Sequence, residues 1–351
     1  MLPTSGTFNF QSIQIELIIR EAYERIGILG EFVEPQKLDS AKRSIDLLLL
    51  EWMNKSVNLW TLNYEYLPLV TSQVQYTLPV TVSDIIQANL RTSTRQLNGV
   101  AASSDGGVSA QAFDGNPLTA CTQNAQDGNI SYDYGDGIAQ QINFVGIQSN
   151  VDTIYNIIVE SSVDNINWLP LITLSSLNFI KGVNVWFDVP TPIDARAYRI
   201  RETGGATLDI QEIYINNNIV DIPISNVSRY EYLTYPNKRL QGRPSVYYLD
   251  RQITPILNLW PAPSNQYNCL QYSYKEMIED AGNFYTNALQ IPSRFYPALI
   301  WGLSYQLALK YNPQVAGAFK GEYEQSFNLA TVSDSESVNI SIRGDEDYGE
   351  V

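Results

Sequence analysis

A chain of 351 residues with 44% apolar and 11% aromatic side chains is long enough for two or three domains and can bury a core in each. Its net charge of −15, from 37 acidic and 22 basic residues, argues against a protein that grips nucleic acid through the phosphates. There is no histidine, which excludes histidine-dependent triads, and the two cysteines, Cys121 and Cys269, form no CxxC spacing, so neither a zinc site nor a disulfide scaffold is expected.

The charge is unevenly placed. Residues 98–217 hold 13 acidic and 4 basic side chains, residues 331–351 hold 6 and 1, and the remainder is close to neutral. The opening residues lack the basic and apolar regions of a signal peptide, and no apolar run approaches the roughly 18 residues of a membrane span. The reading is therefore a product made in the cytoplasm, with no membrane partner.

In chain order, the spacing of Ile15, Ile18, Ile19, Ala22, Ile26 and Leu29 predicts a helix over 12–29, with Gly30 as its stop. A second helix is expected from Asp39, as N-cap, to Trp60, with Ala41, Ile45, Leu48, Leu49, Trp52 and Met53 on one apolar face. From Tyr64 the pattern changes to short extended runs, YEYLPLV and VQYTLPV, which Pro68 and Pro79 keep at sheet edges or strand ends, followed by an extended or turn segment, DIIQANLR.

Residues 98–217 are rich in Gly, Ser, Asn and Asp between short β-branched runs, which suits a sandwich or jelly roll with no long helix. After Asn217 come the runs PSVYYLD, PILNLWP and NCLQYSYKEM. Helical spacing then returns near Ser293 through Leu299, Ile300, Leu303 and Leu307, and again over 315–330 through Phe319, Tyr323 and Phe327. The predicted fold is thus multidomain α+β. A mainly α-helical split domain with a small β portion, 1–97 plus 218–330, is interrupted by an all-β jelly-roll sandwich at 98–217 and followed by an acidic C-terminal arm at 331–351. The apolar face of the Asp39 helix is expected to be covered by the first helix and by the region after Ser293.

The split domain carries IIREAYERIGILGE, LLLEWMNK, the Tyr76 to Pro79 strand, SRYEYL with Lys238, Gly242-Arg243-Pro244, LNLWPAP and IPSRFYPALIWGLSYQLA, in that order. This series resembles the head-to-tail adaptor (connector) proteins of short-tailed bacteriophages. The resemblance implies a virion protein of the neck or tail that forms a homo-oligomeric, dodecameric ring. Such a ring binds the portal protein above and tail nozzle or tail fibre proteins below. Double-stranded DNA passes through its channel without specific binding, during packaging and genome ejection. A nearly neutral outer region is compatible with DNA sliding through.

The insert carries AFDGNPLT, ISYDYG, VESSVDNINWLPL and ARAYRIRE followed by LDIQEIYI, and is similar to discoidin-type, galactose-binding-like jelly rolls. One departure is Cys121, where that family often has an aromatic residue. The resemblance implies a structural calcium with Asp114, Thr119 and Glu212 as ligands; an Asx-turn closed by Asp114 on its own backbone is the alternative. It also makes Trp168 and Trp186 candidates for stacking on a glycan, against packing within the sandwich. No catalytic residue and no required cofactor is expected. A carbohydrate-binding protein on a helical scaffold is the alternative function. A carboxylate-dependent glycoside hydrolase ranks lower, because nothing singles out a pair of acids.

Overall fold

The computed structural model describes residues 13–28, 34–55, 59–95, 98–264, 268–282 and 285–334. The chain packs as two compact units, Met1–Leu62 with Glu276–Val351, and Asn63–Lys275. The arm expected at 331–351 lies outside the described residues except for its first four, which continue a helix, and Leu29 and Gly30 lie outside them as well.

Four helices build the first unit: α1 (Ile15–Arg25), α2 (Pro35–Asn54), α4 (Tyr296–Tyr311) and α5 (Ala316–Asp334). The apolar face of α2 is buried, with Ala41, Ile45, Leu48, Leu49 and Trp52 at most 3% exposed. It packs with Ile18, Ile19 and Ala22 of α1, with Leu299 and Leu303 of α4, and with Phe327 of α5. Close approach depends on Gly302 in α4: a Cβ there would lie 2.7 Å from Leu48 Cδ2 and 3.1 Å from the Tyr323 ring. Tyr323 in turn accepts the Trp52 indole hydrogen at 2.9 Å, so the polar edge of the largest core side chain is satisfied.

The start of α2 differs from the expected Asp39 cap. Glu34 occupies the N-cap position without a side-chain cap bond and Pro35 follows, its fixed φ already suited to a first helical position. Asp39 instead accepts the Tyr285 hydroxyl from the second turn. The helix also ends at Asn54, and Trp60 falls in a separate 3-10 turn, where its ring packs 4.7 Å from Phe295.

The second unit is built from β-strands, one short α-helix and a 3-10 turn at Ser109–Ala112. Its strands are β1 (Leu62–Pro68), β2 (Gln75–Thr77), β3 (Val82–Arg95), β4 (Val100–Ser103), β5 (Cys121–Gln126), β6 (Asn129–Asp133), β7 (Gln140–Gln141), β8 (Phe144–Ser149), β9 (Thr153–Ser162) and β10 (Leu169–Phe179). They continue with β11 (Asn184–Asp188), β12 (Asp194–Ala195), β13 (Ala197–Glu202) and β14 (Thr207–Asn226). Helix α3 (Arg229–Thr234) precedes β15 (Gln241–Gly242), β16 (Val246–Asp250), β17 (Ile256–Trp260), β18 (Ala262–Pro263) and β19 (Cys269–Glu276).

A ten-stranded sheet runs β1-β19-β3-β14-β16-β17-β2, and β14 also pairs with β5 and β8, which carries β11. A five-stranded sheet, β10-β9-β13-β6-β4, faces its β8–β14 part. Between them Val145, Ile147, Ile210 and Ile213 meet Ile130, Tyr155, Ile157 and Ile200 in a sandwich core. The twenty residues of β14 serve two neighbourhoods: Ile210–Asn216 pairs with β8, and Asn216–Ile224 pairs with β3, with an irregularity between Asn217 and Val220.

The expectation of a mainly helical outer domain with a small β portion is overturned. Strands outnumber helices, and the described residues include five α-helices against nineteen strands. The strands outside 98–217 contribute a core of their own to the ten-stranded sheet, in which Tyr76, Leu90, Tyr247, Leu257, Leu259, Leu270 and Tyr272 are at most 4% exposed. The proline-punctuated runs looked like edge pieces because each is short. DIIQANLR is the middle of a fourteen-residue strand. No helix among the described residues is long and apolar enough to cross a membrane.

Candidate functional site

The sequence singles out five side chains, of which the fold brings Asp114 and Thr119 into contact. Trp186 lies on β11, where Val185 and Phe187 turn into the sandwich core and Trp186 therefore points to the opposite face. There it is 5% exposed, stacked 4.9 Å from Phe144 and tilted 5.2 Å from Tyr214. A Cβ on Gly146 would sit 2.3 Å from its ring, so the absence of a side chain on β8 makes room for the indole. Trp168, in the turn before β10, is half-buried with the Arg199 guanidinium 4.3 Å over its ring. Arg199 and Arg201 of β13 both bond Glu160 of β9, which is 5% exposed. Burial pushes the Glu160 carboxyl up, but Arg201 and Arg199 outweigh it and hold it below its usual range.

The Asp-Gly-Asn loop is closed on itself. Asp114 accepts the Asn116 amide at 2.8 Å and the Thr119 hydroxyl at 2.9 Å, the contacts of an Asx-turn. The Thr119 hydroxyl also lies 2.9 Å from the Asn116 carbonyl. Gln211 of β14 donates to the Pro117 carbonyl at 2.7 Å, which ties the loop to the strand that carries Glu212, itself fully buried. These oxygens are of the hard type that calcium takes. Among the described residues no group of three His, Cys, Asp or Glu is placed to hold a metal ion.

Sequence reasoning missed the network centred on Arg91. This side chain, 8% exposed on β3, donates Nε and Nη2 to Asp221 of β14, both at 2.7 Å, and Nη1 to Asp188 of β11 and the Tyr66 hydroxyl of β1, both at 2.7 Å. Tyr66 donates to the other Asp188 oxygen. The Asp221 bonds, reinforced by Tyr66 and Asp188, push the guanidinium pKa further up, and burial beside Asp188 does the same to the Tyr66 phenol. Four strands distant in sequence are thereby joined over the small cluster of Phe144, Trp186, Tyr214 and Cys269. The only signal for it is the cross-strand pairing of Arg91 with Asp221, which needs the β3–β14 register to be known.

The cysteines are structural. Cys121 and Cys269 are both fully buried, and burial raises the pKa of each thiol.

No curated protein matches the chain. Among solved structures, chitosan-binding module 1 derived from a chitosanase/glucanase of Paenibacillus sp. IK-5 is similar at 19% identity and a TM-score of 0.29, covering 35% of this chain and 96% of that one. The family 32 carbohydrate-binding module of Clostridium perfringens NanJ, solved in complex with galactose, is similar at 17% identity and a TM-score of 0.30, covering 36% and 99%. Residues 186–343 match the family model of the SU10 adaptor protein, a stretch that includes SRYEYL, LNLWPAP and IPSRFYPALIWGLSYQLA.

Proposed function

We propose that the chain is a structural, non-catalytic virion protein: a head-to-tail adaptor that joins the portal to tail components, with 98–217 as an inserted peripheral module. The observation that carries this reading is the adaptor family match over 186–343, which coincides with the later part of the motif series. On this reading copies assemble on the portal as a ring, twelve in the family pattern, and double-stranded DNA passes through without sequence-specific contacts. The near-neutral charge outside 98–217 and 331–351 supports passage without retention. Native mass spectrometry of the full chain with and without a portal ring tests it. Monomers alone and a stoichiometric complex with portal are expected, and failure to associate with portal overturns the reading.

For the insert, the resemblance of AFDGNPLT and LDIQEIYI to discoidin-type domains supports a module for decoration, for seating a tail appendage or for glycan binding. A glycan contact would use Trp168, the one of the two tryptophans that is partly exposed. Asp114, Thr119 and Glu212 would hold a structural calcium, replacing the internal bonds of the Asx-turn. Calorimetric titration of the full chain with calcium reads this directly: a binding heat lost in Asp114→Ala supports the site, and no heat with an unchanged melting temperature removes it.

A further inference from the structure

Five places in the chain put glycine directly after an acid or its amide: Asn98–Gly99, Asp105–Gly106, Asp114–Gly115, Asp127–Gly128 and Asp136–Gly137. Such pairs isomerise when the glycine nitrogen reaches the side-chain carbonyl carbon before it, because glycine has no Cβ in the way. Closure makes three demands on the fold: a side-chain carbonyl that other bonds do not hold firmly, a glycine N–H that is not donated, and room for the backbone to turn.

Four of the pairs fail at least one demand. Gly99, in the asparaginyl pair that chemistry alone makes the fastest, donates its N–H to the Tyr132 hydroxyl at 2.8 Å, and a Cβ on it would lie 2.0 Å from the Asp133 carbonyl oxygen. Asp105 has a buried carboxylate oxygen, and Gly106 lies against the Asn124 side chain. Asp114 is spent on the Asn116 amide and the Thr119 hydroxyl. Asp127 accepts the Gly205 amide at 2.8 Å, and Gly128 lies against the Gln123 side chain.

Asp136–Gly137 meets all three demands. Gly135 to Ile138 form a turn, in which the Ile138 amide donates to the Gly135 carbonyl at 3.2 Å and Gly137 has φ +73°, as the third position of a type II turn requires. The Gly137 N–H takes no part in that bond and has no acceptor among the described residues. Beyond its chain neighbours, no atom lies within 4 Å of where a Gly137 Cβ would stand, and the Asp136 side chain is 98% exposed. Its bond from Arg196 Nη1 is long, at 3.3 Å, and that arginine is anchored by Asp133, which accepts Nε and Nη2 at 2.8 Å each. Arg196 therefore stays in place when Asp136 moves.

We propose that Asp136–Gly137 is a site of spontaneous isoaspartate formation in the folded protein. The Gly137 nitrogen gives its proton to water and bonds to Asp136 Cγ, and the carboxyl hydroxyl leaves as water to close a cyclic imide. Water then adds to one of the two imide carbonyl carbons and breaks that carbon's bond to nitrogen. A break at Cγ restores aspartate. A break at the Asp136 main-chain carbonyl leaves the chain running through Cγ, one methylene longer, with the carboxylate on Cα. Water is released and taken up again, and nothing is oxidised or reduced. The site does not depend on the adaptor reading.

The full chain is kept for weeks at neutral pH, folded or in urea. Isoaspartyl methyltransferase with labelled S-adenosylmethionine reads the total isoaspartate, and peptide mapping with electron-transfer fragmentation locates it. In the folded chain position 136 should exceed each of 98, 105, 114 and 127 by about tenfold or more, since the other four react only after local opening. In urea, where all five are released, Asn98 should lead. Asp136→Glu, whose longer side chain closes such a ring far more slowly, should lose the signal at 136 with unchanged circular dichroism and melting temperature. Isoaspartate in the folded chain that is absent from 136, or no greater there than at the other pairs, overturns the proposal. A lead for 136 in urea as well would remove the fold from the selection and overturn it also.

Discussion

Arg91 and Asp188, 97 residues apart in sequence, meet at 2.7 Å, and this bond links β3 to β11, two strands that do not pair with each other. The guanidinium is nearly fully buried, whereas Asp188 and Asp221 are 40% and 32% exposed, so the cation bears most of the desolvation and its partners keep part of their water. The arrangement is asymmetric in its consequences. Removal of the arginine leaves two carboxylates that can rehydrate, while removal of one carboxylate leaves a buried cation with the other.

Arg91→Met should therefore cost about 2–3 kcal/mol, below the value for a fully buried pair because both acids are part-exposed. Asp188→Asn, which keeps one acceptor oxygen for Arg91 and turns an amide NH2 toward the Tyr66 oxygen, should cost about 1 kcal/mol. Urea unfolding of the two single variants and the double variant will show a coupling between them; strict additivity would mean that the bond contributes nothing of its own.

Much of the helical unit is legible in the sequence, and the reason is local. The three- and four-residue spacing of Ile45, Leu48, Leu49 and Trp52 reports one buried face, and the helix start is missed by five residues only because Glu34 and Pro35 begin it where Asp39 offers a better side-chain cap. The sandwich is legible through alternation, as in Ile130 and Tyr132 or Ile157 and Val159. The outer sheet is not, because most of its strands bury only two alternate residues each, as with Tyr247 and Leu249 or Leu270 and Tyr272, and its pairing joins segments more than 100 residues apart, as in β3 with β14. Trp186 shows the same limit: both faces of β11 are covered, so its burial depends on a second layer that no period in the sequence announces.

Acid should weaken the second unit through two carboxylates. Arg196 holds the Asp133 carboxyl below its usual range, and its Nε and Nη2 donate at 2.8 Å; the two arginines on Glu160 do the same against its burial. A carboxyl whose folded pKa is depressed contributes stability that is complete above its unfolded value and is lost as pH falls through the folded one. The melting temperature should hold down to about pH 5 and decline between about pH 4 and 2. Arg196→Met should flatten that decline while lowering the melting temperature at pH 7; an unchanged slope would remove Asp133 from the account.

Neither thiol should react in the folded protein. Burial raises both pKa values and closes access, so Ellman's reagent at pH 8 should modify no cysteine in native chain and both after denaturation. Rapid modification of Cys121 under native conditions would contradict its position in the sandwich core.

Gly302 and Leu48 set how closely α4 approaches α2. Leu48→Ala removes a fully buried side chain and should cost about 3 kcal/mol. Gly302→Ala places a Cβ 2.7 Å from Leu48 Cδ2 and against the Tyr323 ring, and the resulting strain of about 1–3 kcal/mol should exceed the roughly 1 kcal/mol gained in helix propensity. The space left by Leu48→Ala is where the new methyl must go. The double variant should consequently be more stable than the sum of the two single changes predicts, by about 1 kcal/mol or more. Thermal unfolding of the four proteins decides it: additive losses would mean that α4 and α2 part on substitution, and that the contact between these two positions does not fix their spacing.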